Sequence, residues 1–254
     1  MSGARAAQGG RARVPLLAGR RAALEAVRSG TAIEVLVAEG SRATPPMREL
    51  LEACRDSGVS VRETSRRELD GLAPDHHGVV ARLRVVAELG ERELASWPFG
   101  EDDIVVVLDG ISDPQNLGAA ARSAEAAGAA MLVTRVRRAA AVTPAAIRAS
   151  AGSLLHLPHA RVANVARALE RLKDAGFFVV GLDEKAEASV YEEPCPRGRV
   201  AVVLGSEGEG LARLTREACD ALVRLPMRGR VGSINASASL EAVLYAYVVP
   251  SRRT

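Results

Sequence analysis

The sequence predicts an α/β protein built around a mostly parallel sheet. Two observations carry this. Helical and extended patterns alternate along nearly the whole chain, the signature of α/β architecture. Ile104–Leu108 is a continuous apolar run, as expected of a strand covered on both faces of a parallel sheet. A third observation bounds the answer: 254 residues leave room for one large domain or two modest ones.

The elements follow in order. Residues 1–14 form a basic tail rich in Gly, Ala and Arg, expected to be disordered. From Pro15 the pattern becomes structured. Leu24 and Val27 recur at helical spacing within Arg20–Arg28, and Gly30 is a plausible stop. Ile33–Ala38 alternates and is β-branched, so it reads as a strand. Pro46–Ser57 reads as a helix ending at Gly58, and Val59–Glu63 as a short strand. Ser65–Leu72 opens with Ser65 and Glu68 at capping-box spacing. Gly78–Val86 is a strand. Residues 15–87 therefore make a small α/β domain. Glu88–Asp103 is acidic, contains Trp97-Pro98 and Gly100, and is expected to be an interdomain linker.

Residues 104–254 form the second domain. After Ile104–Leu108 come helix Leu117–Ala127, strand Ala130–Thr134 and helices Thr143–Ser150 and Val165–Ala175. Strands Phe177–Leu182 and Val200–Leu204 follow, then helix Leu211–Ala218, strand Ala221–Leu225, and a helix Ala236–Val249 stopped by Pro250. In such a fold the binding site lies outside the carboxyl ends of the strands.

Composition excludes several classes of function. Aromatic residues are 3% of the chain, too few for a protein that stacks many bases on aromatic platforms. No run approaches 18 apolar residues, so no transmembrane helix is expected. Three scattered cysteines, Cys54, Cys195 and Cys219, suit a reducing compartment. The N-terminus lacks a signal-peptide core, so a cytoplasmic location is expected. The net charge of +3 is unevenly spread: residues 1–21 carry five Arg and no acid, residues 91–103 one Arg and five acids, and residues 104–254 nineteen basic and fifteen acidic side chains. All but Lys173 and Lys185 of the basic residues are Arg, whose planar fork suits phosphate. A GC-rich coding bias is the alternative source of this enrichment, and it does not exclude RNA binding.

Three polar clusters each follow a predicted strand. In Asp109–Arg122, Asn116 sits near a helix start and is read most simply as its N-cap. Arg122 lies among Ala119, Ala120, Ala121 and Ala124, small residues that allow close packing against another backbone. The step of six positions from Asn116 to Arg122 leaves them roughly 240° apart around a helix. A joint site of the two needs a frayed helix end or a second subunit. The second cluster, Gly205–Gly210, has three glycines and two glutamates. It lacks the Walker ending, and its acids suit a ligand bearing positive charge and hydroxyls, such as an adenosyl sulfonium. A plain tight turn before helix Leu211–Ala218 is the alternative reading. In the third cluster, Ser233, Asn235, Ser237 and Ser239 lead into the last helix and exceed what one cap needs, with Arg228 and Arg230 alongside. His76 and His77 have no Cys/His set to complete a metal site, so no metal is expected.

In combination these clusters resemble the SpoU/TrmH family of RNA 2′-O-ribose methyltransferases, of the SPOUT class. Asn116, Gly118 and Arg122 match its first motif, Gly205–Gly210 its second, and Leu225-Pro226-Met227-Arg228-Gly229 with Ser233–Ser237 its third. Leu225, Ile234 and Ala236 depart from the family pattern but leave its polar side chains in place. The likeness covers about residues 104–250. The start Gly19–Ala26 and the close His76-His77-Gly78 resemble the subgroup that modifies a guanosine of 23S rRNA, with Ala23 and His77 departing from its pattern.

The resemblance implies a deep trefoil knot in the C-terminal domain, an N-terminal domain similar to the ribosomal-protein L30e fold that helps bind RNA, and a homodimer. It implies S-adenosylmethionine as cofactor, held by Leu204, Gly205, Glu207, Leu225, Met227, Ile234 and Asn235. It implies 23S rRNA as the partner and Arg122, Asn116, Glu207, Ser233 and Asn235 as catalytic residues. The family proposal makes the motif-one arginine a general base. A guanidinium keeps its proton far above neutral pH, and each unit by which its pKa is lowered costs about 1.4 kcal/mol, so a role for Arg122 in anchoring phosphate and stabilising the developing alkoxide is favoured. The same chemistry on tRNA or on an antibiotic-binding rRNA loop, as in a resistance enzyme, and a non-catalytic RNA-binding assembly factor stay open as alternatives.

Overall fold

The computed structural model describes residues 15–41, 44–84, 88–192, 194–230 and 232–252. The expected basic tail and the last two residues of the strand expected over Gly78–Val86 lie outside the described residues. The chain divides into two compact units, residues 1–86 and 87–254.

The first unit runs β1 (Leu16–Ala18), α1 (Arg20–Arg28), β2 (Ala32–Ala38), α2 (Pro45–Asp56), β3 (Ser60–Thr64), α3 (Arg66–Leu72) and β4 (Val79–Leu83). Its sheet order is β1-β4-β2-β3, with β2 and β3 parallel and the other pairs antiparallel. α1 buries Ala23, Leu24, Ala26 and Val27 and packs against α2, which buries Met47, Leu50 and Cys54. Both stripes follow helical periodicity. Ser65 caps α3 by accepting from the Glu68 N–H at 3.3 Å. The reciprocal half of the capping box does not form, because the Glu68 carboxylate turns instead to Arg62 at 2.8 Å and to the Thr64 hydroxyl. β1 was not expected; three residues are too few to show a period.

The second unit contains α4 (Glu91–Ala95), β5 (Ile104–Asp109), α5 (Pro114–Ala126), β6 (Ala129–Arg135), α6 (Pro144–Ala149), β7 (His159–Val162), α7 (Val165–Asp174), β8 (Phe178–Leu182), β9 (Val200–Gly205), α8 (Arg213–Glu217), β10 (Ala221–Val223) and α9 (Ala236–Val243). Its six strands are all parallel, in the order β10-β8-β9-β5-β6-β7. β5 is buried at every position. One core joins Val105 and Val107, Met131 and Val133, and Ala201 and Val203 to Leu94 of α4 and Leu169 and Leu172 of α7. A second helical layer has α5 against β6 and α9 against β9.

Two expectations need correction. The segment 88–103 is not a free linker. It carries α4, whose Leu94 is 2% exposed, and Trp97 and Phe99 pack on the same core. Phe99 meets Phe177 edge to face at 4.8 Å. Its acids dominate the composition, but its apolar residues bind it to the sheet. The last helix is not uniform either. α9 gives way to a π-turn over Leu244–Val248 and then a 3-10 segment that contains Pro250. A π-turn widens the helix just ahead of a residue that lacks an N–H. Val243, Leu244, Tyr247 and Val248 are buried, whereas Tyr245 is 46% exposed.

Gly118 explains the small-residue face of α5. A Cβ there would sit 2.5 Å from the Ala146 carbonyl oxygen and 2.5 Å from the Ala149 Cβ. The backbone of α6 therefore seats directly on α5, which fixes the helix that carries Asn116.

Candidate active site

The carboxyl ends of β8, β9 and β10 open into a cavity of about 540 Å³. β9 ends at Gly205, and the segment Ser206–Gly210 turns back on itself: Ser206 and Gly210 exchange two backbone hydrogen bonds of 3.0 Å. A Cβ on Gly205 would lie 2.1 Å from the Gly210 carbonyl carbon. Gly208 and Gly210 hold φ of +82° and +69°, the left-handed region that favours glycine. The glycines thus serve the closure of the loop itself, and the loop presents Glu207 to the cavity.

Asn116 is not an N-cap. Asp113 takes that role, accepting from the Gln115 N–H at 2.9 Å, with Pro114 opening the helix. Proline's fixed φ suits that position. The buried Asn116 side chain is left to other partners. Its Nδ2 donates to Glu207 Oε1 at 2.8 Å, and its Oδ1 accepts from Asn235 Nδ2 at 3.0 Å. Asn235 Nδ2 also reaches Glu207 Oε1 at 3.0 Å. Asn235 Oδ1 meanwhile caps α9, accepting from the Ser237 N–H at 2.9 Å, the Ala238 N–H at 3.4 Å and the Ser237 hydroxyl at 2.6 Å. One residue from each sequence cluster meets here in a closed polar triad.

Leu204, Gly205, Glu207, Leu225, Met227, Ser233, Ile234 and Asn235 all line the cavity. Asn116 joins them through the triad. Arg122 does not: it is exposed, makes no side-chain hydrogen bond or ion pair among the described residues, and is absent from the lining. Sequence reasoning missed the opposite wall, Leu182–Lys185 with Arg216 and Arg224. There Asp183, only 8% exposed, accepts from the Lys185 N–H at 2.8 Å and pairs with Arg216. The one available signal was position, directly beyond the strand Phe178–Leu182.

The residues fit an adenosyl sulfonium. Met227 and Ile234 leave apolar surface open at the cavity, 39% and 43% exposed. The Glu207 carboxylate stands beside them, oriented by two amide donors. Apolar walls with a few fixed polar groups are what a small-molecule site requires. Among the described residues no group of His, Cys, Asp or Glu could hold a metal ion, and no helix is long and apolar enough to cross a membrane.

Fold and cavity together define an S-adenosylmethionine-dependent α/β methyltransferase of the SPOUT class. The chain belongs to the SpoU rRNA methylase family, matched over residues 103–245. Residues 16–86 match a second family, RNA 2′-O ribose methyltransferase substrate binding. Among curated relatives, the 23S rRNA (guanosine-2′-O-)-methyltransferase RlmB of Xanthomonas campestris pv. campestris is 40% identical over 219 residues, 85% of this chain and 87% of the relative. The protein of the same name from Photobacterium profundum is 37% identical over 219 residues, 85% of this chain and 89% of the relative. Among solved structures, the SpoU methyltransferase AviRb from Streptomyces viridochromogenes, in complex with AdoMet, superposes with a TM-score of 0.76 at 30% identity, covering 93% of this chain and 89% of that one.

Proposed function

We propose that this protein methylates the ribose 2′-hydroxyl of a guanosine in 23S rRNA, with S-adenosylmethionine as donor. The observation that carries the reading is the Asn116–Glu207–Asn235 triad at the rim of the cavity. The named relatives support the rRNA guanosine as substrate.

S-Adenosylmethionine, when bound, supplies a methyl group on a positively charged sulfur. Leu204, Gly205, Leu225, Met227 and Ile234 are the residues to hold it, with the Glu207 carboxylate as the matching charge. Asn116, Ser233 and Asn235 position the ribose. The attacking hydroxyl must shed its proton, since a neutral alcohol is a poor nucleophile, and with no base assigned among these residues the proton passes to water. Arg122 anchors an RNA phosphate and stabilises the developing alkoxide. Because Arg122 lies outside its own chain's cavity lining, this role calls for a second subunit, in keeping with a homodimer. Tyr245 in the last helical segment, 46% exposed, is apolar surface available to such an interface.

The remaining parts of the reading are architectural. The first unit acts as an L30e-like RNA-binding domain, a role supported by its substrate-binding family. The C-terminal segment threads a knot, supported by its path from β10 at the sheet edge to α9 against the central β9. The enzyme works in the cytoplasm. Mapping 2′-O-methyl sites in rRNA and tRNA from cells with and without the gene tests the function. Loss of one methyl group at a 23S rRNA guanosine is the expected result. Loss at a tRNA position, or no loss anywhere, overturns the substrate assignment.

A further inference from the structure

The basic charge of the second unit is concentrated in one stretch. Residues 126–169 contain Arg135, Arg137, Arg138, Arg148, Arg161 and Arg167 and no Asp or Glu. The other residues from 104 onward carry 13 basic and 15 acidic side chains, so the excess of this half lies entirely here. Two of the six arginines are matched in the fold. Arg135 lies 3.3 Å from Asp109 Oδ1 and Arg161 lies 3.1 Å from Glu88. Arg137 and Arg138 are exposed and form no ion pair or side-chain hydrogen bond among the described residues.

These two arginines stand on the connection from β6 to α6, beyond the carboxyl ends of the strands, as the cavity does. Asp109 is paired with Gly205, and Leu108 with Thr134. Arg135 is therefore two strands from Gly205, about 10 Å at one strand spacing each. The connection is fixed at both ends. The Val136 N–H donates to Val162 O at 2.9 Å, the Arg161 guanidinium donates to Val136 O at 2.9 Å, and the Ala140 N–H donates to Ile111 O at 2.8 Å. Asp109 adds a tie to the cavity: its Oδ2 accepts from the Ala212 N–H at 3.2 Å, just beyond the Gly205–Gly210 loop. Between these anchors Arg138 holds φ of +55°, in the left-handed region. Such conformations persist where surrounding structure determines them, and they cluster at binding sites.

We propose that Arg137 and Arg138 bind the phosphodiester backbone of the RNA substrate beside the ribose that is methylated. The inference rests on the RNA-methyltransferase reading and adds a second contact region to it, in the catalytic unit itself. Two adjacent guanidiniums held without counter-charges suit a ligand with regularly spaced phosphates. The nearby Asp109 carboxylate is paired with Arg135 and accepts from the Ala212 N–H, so it does not neutralise Arg137 or Arg138.

The test is the double variant Arg137→Ala/Arg138→Ala in the full chain, with Arg137→Lys/Arg138→Lys beside it. Binding to an in vitro transcript of 23S rRNA is measured from 50 to 300 mM salt. Calorimetric titration with S-adenosylmethionine and thermal melting accompany it. Two lost phosphate contacts lower the slope of log affinity against log salt by about 1.4 for single-stranded RNA, which is about tenfold in affinity near physiological salt. The KM for RNA rises by a similar factor, while kcat, cofactor affinity and melting temperature stay at wild-type values. The lysine pair recovers most of the slope. An unchanged slope and affinity in the alanine pair overturns the proposal. So does a shift from dimer to monomer in sedimentation in place of weaker RNA binding, which would assign these arginines to a contact between chains. The binding arm does not depend on turnover. If the wild-type protein binds this RNA but methylates none, the substrate assignment fails while the contact still stands or falls on the slope.

Discussion

The Asn116 amide donates to the Glu207 carboxylate at 2.8 Å, joining residues 91 positions apart. Asn235 closes the ring from a third segment. Each member is oriented by the other two, so the side chains at the rim are set before any ligand arrives.

Replacing Glu207 by Gln removes the charge that two amide donors share. A hydrogen bond to a charged group is worth about 1.5–3 kcal/mol, so single-turnover methyl transfer falls by about 10- to 100-fold. Asn116→Ala and Asn235→Ala each act on the same ring. Their double variant loses less than the product of the two single losses, as expected of residues in one network. Strictly multiplicative losses would show that the triad does not act as a unit.

Gly118→Ala and Gly205→Ala fail in different ways. At Gly118 the new methyl meets α6 at 2.5 Å, and overpacking of this kind costs about 1–3 kcal/mol. Urea unfolding detects it as a lower midpoint. At Gly205 the methyl meets backbone at 2.1 Å and displaces the loop that presents Glu207. Calorimetry is expected to find cofactor binding lost at Gly205→Ala while folding survives. Normal cofactor affinity in that variant would refute the account of the loop.

Arg122→Ala is expected to abolish methyl transfer and leave cofactor affinity unchanged, because the side chain lies outside the cavity lining. Arg122→Lys separates charge from the guanidinium fork: a near-normal rate across pH eliminates a guanidinium-specific role. Mixing Arg122→Ala chains with Asn235→Ala chains then tests the second subunit. If Arg122 serves its partner's cavity, mixed dimers regain activity that neither variant has alone.

His159 makes stability depend on pH. It is buried and hydrogen-bonded to the Thr134 hydroxyl at 2.8 Å, and burial pushes its imidazole down to about 4 from 6.5. The unfolded chain therefore takes up this proton first as the pH falls. The stabilisation from a neutral His159 is complete above about pH 6.5 and is lost progressively toward pH 4. The gap is worth about 3 kcal/mol. Urea midpoints at pH 7 and pH 4.5 are expected to differ more in the wild type than in His159→Gln. Equal differences in the two proteins would falsify this assignment.

Much of this was legible in the sequence, for reasons that can be traced. The run Ile104–Leu108 announced the buried central strand because nothing polar interrupts it. α1 and α7 matched their apolar spacing because both are long enough to show a period. β7 escaped notice: four residues that include a histidine and an arginine show neither alternation nor an apolar run. α4 escaped because charge masked a short apolar stripe. At the site, the resemblance to family motifs named every residue of the triad, but local rules misassigned Asn116. Asn is a good cap, and only the fold shows that Asp113 had already taken the position. The wall at Asp183 and Arg216 carries no motif and comes together only when β8 and α8 pack.

Asn235 holds the start of α9 with one oxygen and the triad with its amide nitrogen. The terminal helix therefore cannot fray from its first turn without dismantling the rim of the cavity. Opening of that first turn and loss of the triad's geometry are therefore coupled. By linkage, whatever tightens on Asn235 also slows amide exchange in the helix behind it. The first turn of α9 thereby reports whether the site is filled.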